Sequence, residues 1–284
     1  MRANVPAYEL RALKDLGETL ELLRREPGVW RPFAGGTDLM VLFEAGRLAH
    51  RQFLSVWQLP ELQGIEVTPA HVTLGALVTY TGLRRNEILR QEFPNLCAAA
   101  RETGGIAIQN RGTLGGNICN ASPAADSPPA LLVYDAQLEL VSAGGARWID
   151  YADFHTNYKQ TVMRPDELLS RIRLPRDKQN WRHYYRKVGT RKAQAISKTC
   201  LSGTIQMEGR RIRAIRLSLG SVAPTVVRCA RTEAALKDQT LDASLITVAR
   251  ETLAQEIAPI DDIRSTADYR LQVSLNLLEE MLTR

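Results

Sequence analysis

Cysteine and histidine are both scarce in this sequence. Its 284 residues contain four cysteines, Cys97, Cys119, Cys200 and Cys229, and no two of them form a C-x-x-C pair. The four histidines are equally scattered, so neither a zinc site nor an iron–sulfur cluster held by this chain alone is expected, and the metal-ligand prediction is none. A chain of this length also needs no disulfide staples. The cysteines are therefore predicted to be reduced.

Long apolar runs are also missing. No stretch of about eighteen apolar residues occurs, which excludes a membrane-spanning helix. The first thirty residues carry several acidic side chains and no apolar stretch behind a basic start, so no secretory signal is expected. The predicted location is the cytoplasm.

The chain is basic without the signatures of a nucleic-acid reader. It has 37 Lys and Arg against 31 Asp and Glu, a net charge of +6, and its densest basic stretch is 171–198. Zinc-finger, helix-turn-helix and RNA-reading patterns are absent, so no nucleic-acid partner is predicted. The favoured interpretation is a solvated face; the alternatives are contact with an anionic cofactor or with an acidic partner subunit.

The composition, 44% hydrophobic and 24% charged, is that of a globular protein with a substantial core. Strand-like and helix-like stretches alternate through short glycine-rich connections, which predicts an α+β fold rather than a repeated βαβ array. We place a domain boundary at the polar segment after Pro175. The prediction is an N-terminal domain 1–175, with two subdomains meeting near residue 57, and a smaller domain 176–284. In the smaller domain a hairpin turns at Glu208–Arg210, and two amphipathic helices follow it.

A first glycine segment, 33–40, reads Phe-Ala-Gly-Gly-Thr-Asp-Leu-Met. Glycines allow positive φ and close approach of a ligand to the backbone, so successive N–H groups could converge on an anion. Thr37 would add a hydroxyl. The alternative is a strand-to-helix turn in which Thr37 or Asp38 caps the helix.

A second segment, 109–126, joins three glycines to amide and hydroxyl side chains and ends in Asp126. It is neither a P-loop nor the Gly-x-Gly-x-x-Gly fingerprint of dinucleotide-binding folds. One interpretation is a capped surface loop with Asp126 as helix N-cap and Pro128 in the first turn. The other is that the two segments hold a diphosphate from both sides.

Together, Ala34-Gly35-Gly36-Thr37-Asp38 and Thr113-Leu114-Gly115-Gly116-Asn117-Ile118 strongly resemble the motifs of the FAD-binding subunits of molybdenum hydroxylases, the xanthine dehydrogenase and carbon monoxide dehydrogenase flavoprotein family. The resemblance covers essentially the whole chain. It implies the two-subdomain FAD-binding fold of the vanillyl-alcohol oxidase type. It also implies a smaller C-terminal α+β domain with an antiparallel sheet and helices.

The resemblance implies that backbone N–H groups of 34–39 and 113–117 cradle the pyrophosphate. It places Asp126 near the adenine–ribose end, Leu169 beside a ring, and Lys187, with Arg191 as the next match, close to the cofactor. The alternative for Lys187 is a surface lysine in a basic strand. In full, the predicted cofactor-binding residues are Arg31, Phe33, Ala34, Gly35, Gly36, Thr37, Asp38, Leu39, Thr103, Gly104, Ile108, Gly112, Thr113, Gly116, Asn117, Cys119, Asn120, Ala125, Asp126, Leu169 and Lys187.

The implied function is electron transfer without a catalytic side chain. Substrate is oxidised on a molybdopterin large subunit, electrons cross the 2Fe–2S clusters of a small subunit, and FAD on this chain passes them to NAD+ or another acceptor. The implied assembly is a heterotrimer or a dimer of heterotrimers. No histidine follows the Gly-Gly-Thr segment, so the FAD is expected to be non-covalent. The alternative function is a self-contained FAD-dependent oxidoreductase of the same superfamily.

Overall fold

A three-stranded parallel sheet opens the chain in the computed structural model, which describes residues 7–192 and 194–284. The strands lie in the order β1-β3-β2. The sequence predicts a helix start at Asp15, and helix α1 confirms it, because the Asp15 carboxylate accepts a hydrogen bond from the Glu18 N–H at 2.8 Å. The elements are β1 (Glu9–Ala12), α1 (Leu16–Arg25), β2 (Arg31–Phe33), α2 (Leu39–Glu44) and β3 (Gln52–Ser55).

This first unit differs from one expectation, because consecutive parallel strands linked by α1 and α2 are βαβ units. Helix α2 has only six residues and follows a glycine turn, so the sequence gives no clear sign of a crossover helix at this point. The prediction of short connections without crossover helices is therefore wrong for this part of the chain.

A five-stranded antiparallel sheet follows, in the order β4-β5-β10-β6-β7. Burial alternates along β6, with every second side chain in the core, as the period of two in a half-buried strand requires. The apolar patterns of the sequence predict strands at 137–141 and 168–174, and both are confirmed, within β6 and β10. The strands are β4 (Ile65–Val67), β5 (His71–Gly75), β6 (Gln137–Ser142), β7 (Gly145–Asp150) and β10 (Leu168–Pro175). A separate hairpin, β8 (His155–Asn157) and β9 (Gln160–Thr161), lies between β7 and β10.

Six short helices connect β5 to β6 and cover this sheet. The sequence predicts helices at 83–89 and 96–101. The second is confirmed, whereas the first is split at Asn86 into two helices, Tyr80–Arg85 and Glu87–Glu92. The stretch 109–126, expected to be a loop, contains the end of one helix and the whole of the next, so that expectation is wrong. The helices are α3 (Tyr80–Arg85), α4 (Glu87–Glu92), α5 (Pro94–Glu102), α6 (Ile106–Arg111), α7 (Leu114–Cys119) and α8 (Ser127–Val133). Two 3-10 turns, Pro60–Leu62 and Tyr151–Asp153, flank the unit.

The C-terminal part is a four-stranded antiparallel sheet in the order β11-β12-β13-β14, packed against three helices. The hairpin predicted around Gly209 is confirmed, with Glu208 paired to Arg211. The elements are β11 (Arg182–Val188), β12 (Thr199–Glu208), β13 (Arg211–Gly220), β14 (Val227–Arg228), α9 (Ala230–Leu236), α10 (Ala243–Ala254) and α11 (Ala267–Thr283).

Buried and half-buried polar contacts join the C-terminal sheet to the helices of the preceding unit. The Asn95 amide on α5 donates to the Gly203 carbonyl oxygen on β12 at 2.9 Å. Asp135, which follows α8, accepts from Lys178, Arg216 and Arg228 at 2.8, 3.2 and 2.9 Å. Three cations on one carboxylate fix how this sheet lies against α8, and that arrangement positions β11 beside the predicted cofactor site.

Candidate functional site

The first glycine segment is a turn between β2 and α2 whose backbone donors face no protein acceptor. Within 7–192 and 194–284, no group accepts a hydrogen bond from the N–H of Gly35, Gly36, Thr37 or Asp38. Gly36 has φ +75°, which glycine adopts without strain, and the Phe33 ring packs against it. Asp38 makes no side-chain cap bond to α2, so the capping interpretation is wrong for Asp38. Free N–H groups in a turn are suited to an anion.

The two glycine segments touch. A Cβ added to Gly35 would lie 1.8 Å from the Arg111 carbonyl oxygen, so only glycine lets these backbones meet. Asn120, just after α7, donates from Nδ2 to the Asp38 carboxylate at 3.2 Å. Arg111 stacks on the Trp57 ring, with the guanidinium carbon 3.8 Å from the ring centroid. Close approach at Gly35 therefore serves contact between the segments rather than contact with a ligand.

The second segment differs from its prediction because its N–H groups already have acceptors. Those of Leu114 and Gly115 donate to the carbonyl oxygens of Val78 and Ala76, each at 2.9 Å. Those of Gly116 and Asn117 donate to the hydroxyl and the carbonyl of Thr113, each at 3.0 Å. Thr113 is thus the N-cap of α7. The N–H groups of 114–117 are therefore not free donors, and contact of 113–117 with the pyrophosphate stays a prediction.

Side chains remain available in the second segment. The Asn117 Oδ1 atom is buried and has no hydrogen-bond partner in the described part of the chain. An unpaired buried acceptor is costly, and a donor on a ligand would satisfy it. Gly116 and Cys119 are exposed, while Gly112 and Thr113 are buried. Asn117, and not the backbone around it, is the feature of this segment that fits a ligand.

Asp126 and Lys187 form a buried ion pair between the two larger units. Lys187 Nζ on β11 donates to Asp126 Oδ2 at 2.7 Å and to the Glu102 carbonyl oxygen at 3.0 Å. Burial raises the pKa of Asp126 to about 6, although the Lys187 ammonium opposes that shift. Asp126 makes no cap bond to α8, and Lys187 is buried. Asp126 is the N-cap residue of α8 and Pro128 lies in the first turn, as one interpretation expected, but the Asp126 carboxylate bonds Lys187 instead of the helix backbone. The interpretation of Lys187 as a surface lysine is wrong.

Several other predicted residues surround this pair. Thr103 Oγ1 lies 3.5 Å from Asp126 Oδ2, and Gly104 has φ +58° with the Ile108 side chain packed over it. Ala125 is buried directly before Asp126. The second oxygen of Asp126, Oδ1, is buried without a partner among the described residues. A cluster around Asp126 and a cluster around Gly35 thus form two separate halves of the predicted site.

Helix α6 connects the two halves. It runs from Ile106, beside Gly104, to Arg111, beside Gly35, and its six residues span about 9 Å at 1.5 Å per residue. Its apolar side chains are open to solvent, with Ile106 65% and Ile108 36% exposed. An extended ligand with a polar group at each end and an apolar face between them suits this surface.

The structure does not bring every predicted residue to these two clusters. Leu169 is buried in the core of the second unit, paired across the sheet with Leu140. The side chain of Leu39 also faces a core, beside Phe53. Arg31 is exposed on β2, and its charge adds to the effect of desolvation in lowering the pKa of Lys159.

Lys159 is a residue that the sequence analysis missed. Lys159 is exposed, its Nζ donates to Asn120 Oδ1 at 2.7 Å, and partial desolvation of the ammonium lowers its pKa. It occupies a two-residue turn far along the chain from both glycine segments. In the sequence Lys159 is a lysine in a polar turn, and nothing there indicates that it lies close to the first glycine segment.

FAD fits this arrangement on chemical grounds. The free N–H groups at 35–38 are donors for phosphate oxygens. The unpartnered oxygens of Asn117 and Asp126 are acceptors for hydroxyl, amine or ring N–H groups of the same cofactor. The donors at 35–38 lie apart from the acceptor oxygens of Asn117 and Asp126. On a dinucleotide, the phosphates likewise lie apart from the hydroxyl, amine and ring N–H groups.

Comparison with known families decides the identity. The family described as the FAD binding domain in molybdopterin dehydrogenase matches residues 7–177, and the CO dehydrogenase flavoprotein C-terminal domain matches 183–284. The chain belongs to the FAD-binding subunits of the molybdopterin dehydrogenases. It is thus a subunit of an oxidoreductase family, and FAD is its cofactor.

Named relatives agree with this family. The xanthine dehydrogenase FAD-binding subunit of Escherichia coli O157:H7 is 29% identical over 270 residues, 94% of this chain and 92% of that protein. The glyceraldehyde dehydrogenase medium chain of Sulfolobus acidocaldarius is 28% identical, over 94% of each chain. Carbon monoxide dehydrogenase from Hydrogenophaga pseudoflava has the same fold, with a TM-score of 0.94, 24% identity and coverage of 99% of this chain and 98% of that one. The predicted fold class and family are confirmed.

The FAD-binding subunit shows no candidate for a membrane span: among 7–192 and 194–284, no helix combines the length and apolar character that crossing a bilayer requires.

Proposed function

We propose that this FAD-binding subunit is the electron-transfer component of a molybdenum-containing dehydrogenase, holding one non-covalent FAD between its two glycine segments and its C-terminal domain. Its partners are a small subunit with 2Fe–2S clusters and a molybdopterin large subunit. The names of the relatives support a multi-subunit enzyme, since one is the FAD-binding subunit and another the medium chain of a dehydrogenase. FAD, when bound, can exchange electrons with both one-electron and two-electron carriers.

The observation that carries the proposal is the contact of Gly35 with the Arg111 carbonyl, beside four N–H groups that have no acceptor within the part of the chain that the structure describes. These donors are the proposed diphosphate site, and Thr37 adds its hydroxyl. Asn117 and the Asp126 cluster, with Thr103 and Lys187, are proposed to hold the remaining polar groups of the cofactor. The protein contributes binding and orientation, and no side chain is required as acid, base or nucleophile.

FAD titration of the purified chain tests the proposal directly. We expect absorbance bands near roughly 370 and 450 nm, the usual positions for bound flavin, and release of the flavin into the supernatant when the protein is precipitated with acid. A chain that takes up no FAD contradicts the proposed function. Flavin that stays with the precipitate contradicts non-covalent binding alone.

The partners and the electron acceptor require a second experiment. We expect the chain to co-elute with the products of neighbouring genes in size-exclusion chromatography, and the assembled enzyme to reduce NAD+ in preference to oxygen or quinones. A chain that elutes alone and turns over a substrate by itself supports the self-contained flavoenzyme instead. Preference for another acceptor revises the acceptor and leaves the FAD site unaffected.

A further inference from the structure

A lysine outside both glycine segments lies next to the first of them. Lys159 is at the tip of the β8–β9 hairpin with φ +57°, a left-handed conformation that residues other than glycine rarely adopt. The preceding turn is held by the Asn157 carboxamide oxygen, which accepts from the Tyr158 N–H at 2.7 Å. The hairpin therefore fixes the direction in which the Lys159 side chain leaves the backbone.

The hairpin is anchored to the helix that follows the second glycine segment. The His155 Nε2 atom lies 2.9 Å from the Ile118 carbonyl oxygen on α7. The His155 ring also packs against Tyr151 and Phe154, with centroids 5.4 and 5.1 Å away. These contacts hold the tip of the hairpin beside the end of α7.

An amide relay connects Lys159 to the first glycine segment. Asn120 accepts from Lys159 Nζ through Oδ1 at 2.7 Å and donates to the Asp38 carboxylate through Nδ2 at 3.2 Å. The two partners together fix the orientation of the Asn120 amide, because an ammonium can only donate and a carboxylate can only accept. Asp38 and Arg31 both act on Lys159 electrostatically.

The charges around the first segment show why a cation is needed there. The four free N–H groups end at Asp38, whose carboxylate repels an incoming diphosphate. Arg31 offsets that single negative charge. Because the charges of Asp38 and Arg31 offset each other, Lys159 makes this group of three side chains positive overall. Its ammonium would add to the attraction that the N–H groups exert on an anion.

We propose that Lys159 binds the diphosphate of FAD as its counter-cation, completing a site that neither glycine segment completes alone. The inference rests on the proposed function, since it assigns a residue to the same cofactor site. Asn120 is then a positioning residue that directs the ammonium toward the free N–H groups of 35–38.

FAD affinity of the whole chain tests this proposal. We compare Lys159→Met and Lys159→Gln with Lys159→Arg, and use Lys237→Met, an exposed lysine after α9, as the matched control. Quenching of flavin fluorescence is measured in about 50 mM and about 500 mM NaCl, where screening differs strongly. We expect the Met and Gln variants to bind FAD about tenfold more weakly at low salt, because an ionic hydrogen bond is lost. The difference should shrink at high salt, and Lys159→Arg and Lys237→Met should stay within about threefold of the wild type.

The outcomes separate the two proposals. If the wild-type chain binds no FAD, the proposed function and this inference both fail. If the wild type binds FAD and Lys159→Met and Lys159→Gln bind it equally well, only the role of Lys159 fails. A lower melting temperature of the ligand-free variants with unchanged FAD affinity also overturns it, because Lys159 would then only anchor the hairpin.

Discussion

The two glycine segments are similar in sequence but differ in whether their backbone N–H groups are hydrogen-bonded to the protein. In the first, the N–H groups of 35–38 have no acceptor in the described chain, and the segment ends in the exposed carboxylate of Asp38. In the second, the N–H groups of 114–117 are hydrogen-bonded inside the protein, and the next carboxylate, Asp126, is buried. Richness in glycine therefore indicates close contact, but whether a ligand or another part of the chain makes that contact depends on the neighbours.

The sharpest test of this comparison is Gly35→Ala. Because the new Cβ would overlap the Arg111 carbonyl oxygen, the two segments must separate, and we expect FAD affinity to fall more than a hundredfold. Equilibrium dialysis with FAD measures it. Gly144→Ala is the control, since the nearest atom to its Cβ is the Ser142 hydroxyl at 3.6 Å. Normal FAD binding by Gly35→Ala would show that contact between the segments is not required.

Asp126→Asn tests the buried end of the second segment. The substitution leaves the Lys187 ammonium buried without its carboxylate, so we expect the free energy of unfolding to fall by about 3 kcal/mol. Asp38→Asn, at the exposed end of the first segment, should change it by less than about 0.5 kcal/mol. Urea unfolding of the ligand-free chain measures both. Equal effects of the two substitutions would contradict the contrast in burial.

The pH dependence of stability tests separately whether burial or the Lys187 ammonium dominates the pKa of Asp126. Burial raises the pKa of Asp126 to about 6, above the ordinary 3.8, so between these values the folded chain binds more protons than the unfolded one. The stability of the wild type relative to Asp126→Asn should therefore fall as the pH rises from about 4 to about 6 and level off above that. An increase over the same range would mean that the Lys187 ammonium outweighs burial.

Gly115→Ala and Gly116→Ala separate packing from ligand contact within the second segment. A Cβ at Gly115 would lie 2.6 Å from the Ala76 Cβ and 2.7 Å from its carbonyl oxygen, so we expect a loss of about 2 kcal/mol in unfolding free energy. At Gly116 the one close atom is the Thr113 hydroxyl oxygen at 2.8 Å, and the cost should be smaller. Thermal unfolding of both variants measures the difference in stability. A larger loss for Gly116→Ala than for Gly115→Ala would mean that Gly116, and not Gly115, is the tightly packed position.

A small loss of stability is expected from Thr113→Ala. It removes the N-cap bond to the Gly116 N–H and should cost about 1 kcal/mol. A loss of FAD affinity in folded Thr113→Ala beyond about threefold would mean that the hydroxyl also contacts the cofactor. Thr79→Ala, which removes the equivalent cap of α3, is the matched control for the stability effect.

Much of the fold could be predicted because its signals are local. The cap at Asp15 and the leucines after it specify α1, and the alternating pattern specifies β6. The short helices α6 and α7 escaped prediction because glycine and amide residues in the sequence resemble a loop. They are helical because Thr113 caps α7, and because Gly112 and Gly115 pack against Tyr80 and Ala76, contacts between residues far apart in sequence.

By itself the sequence determined which two segments carry glycine and polar side chains, and through them the family and its cofactor. Only the tertiary structure decided which backbone donors of those segments stay free, that Asp126 is buried against Lys187, and that Lys159 approaches Asp38 through Asn120. The physical reason is that hydrogen bonds are satisfied by whichever groups the fold brings together. The sequence specifies which hydrogen-bond donors and acceptors a residue has. Packing between distant segments determines whether those groups already have partners in the protein.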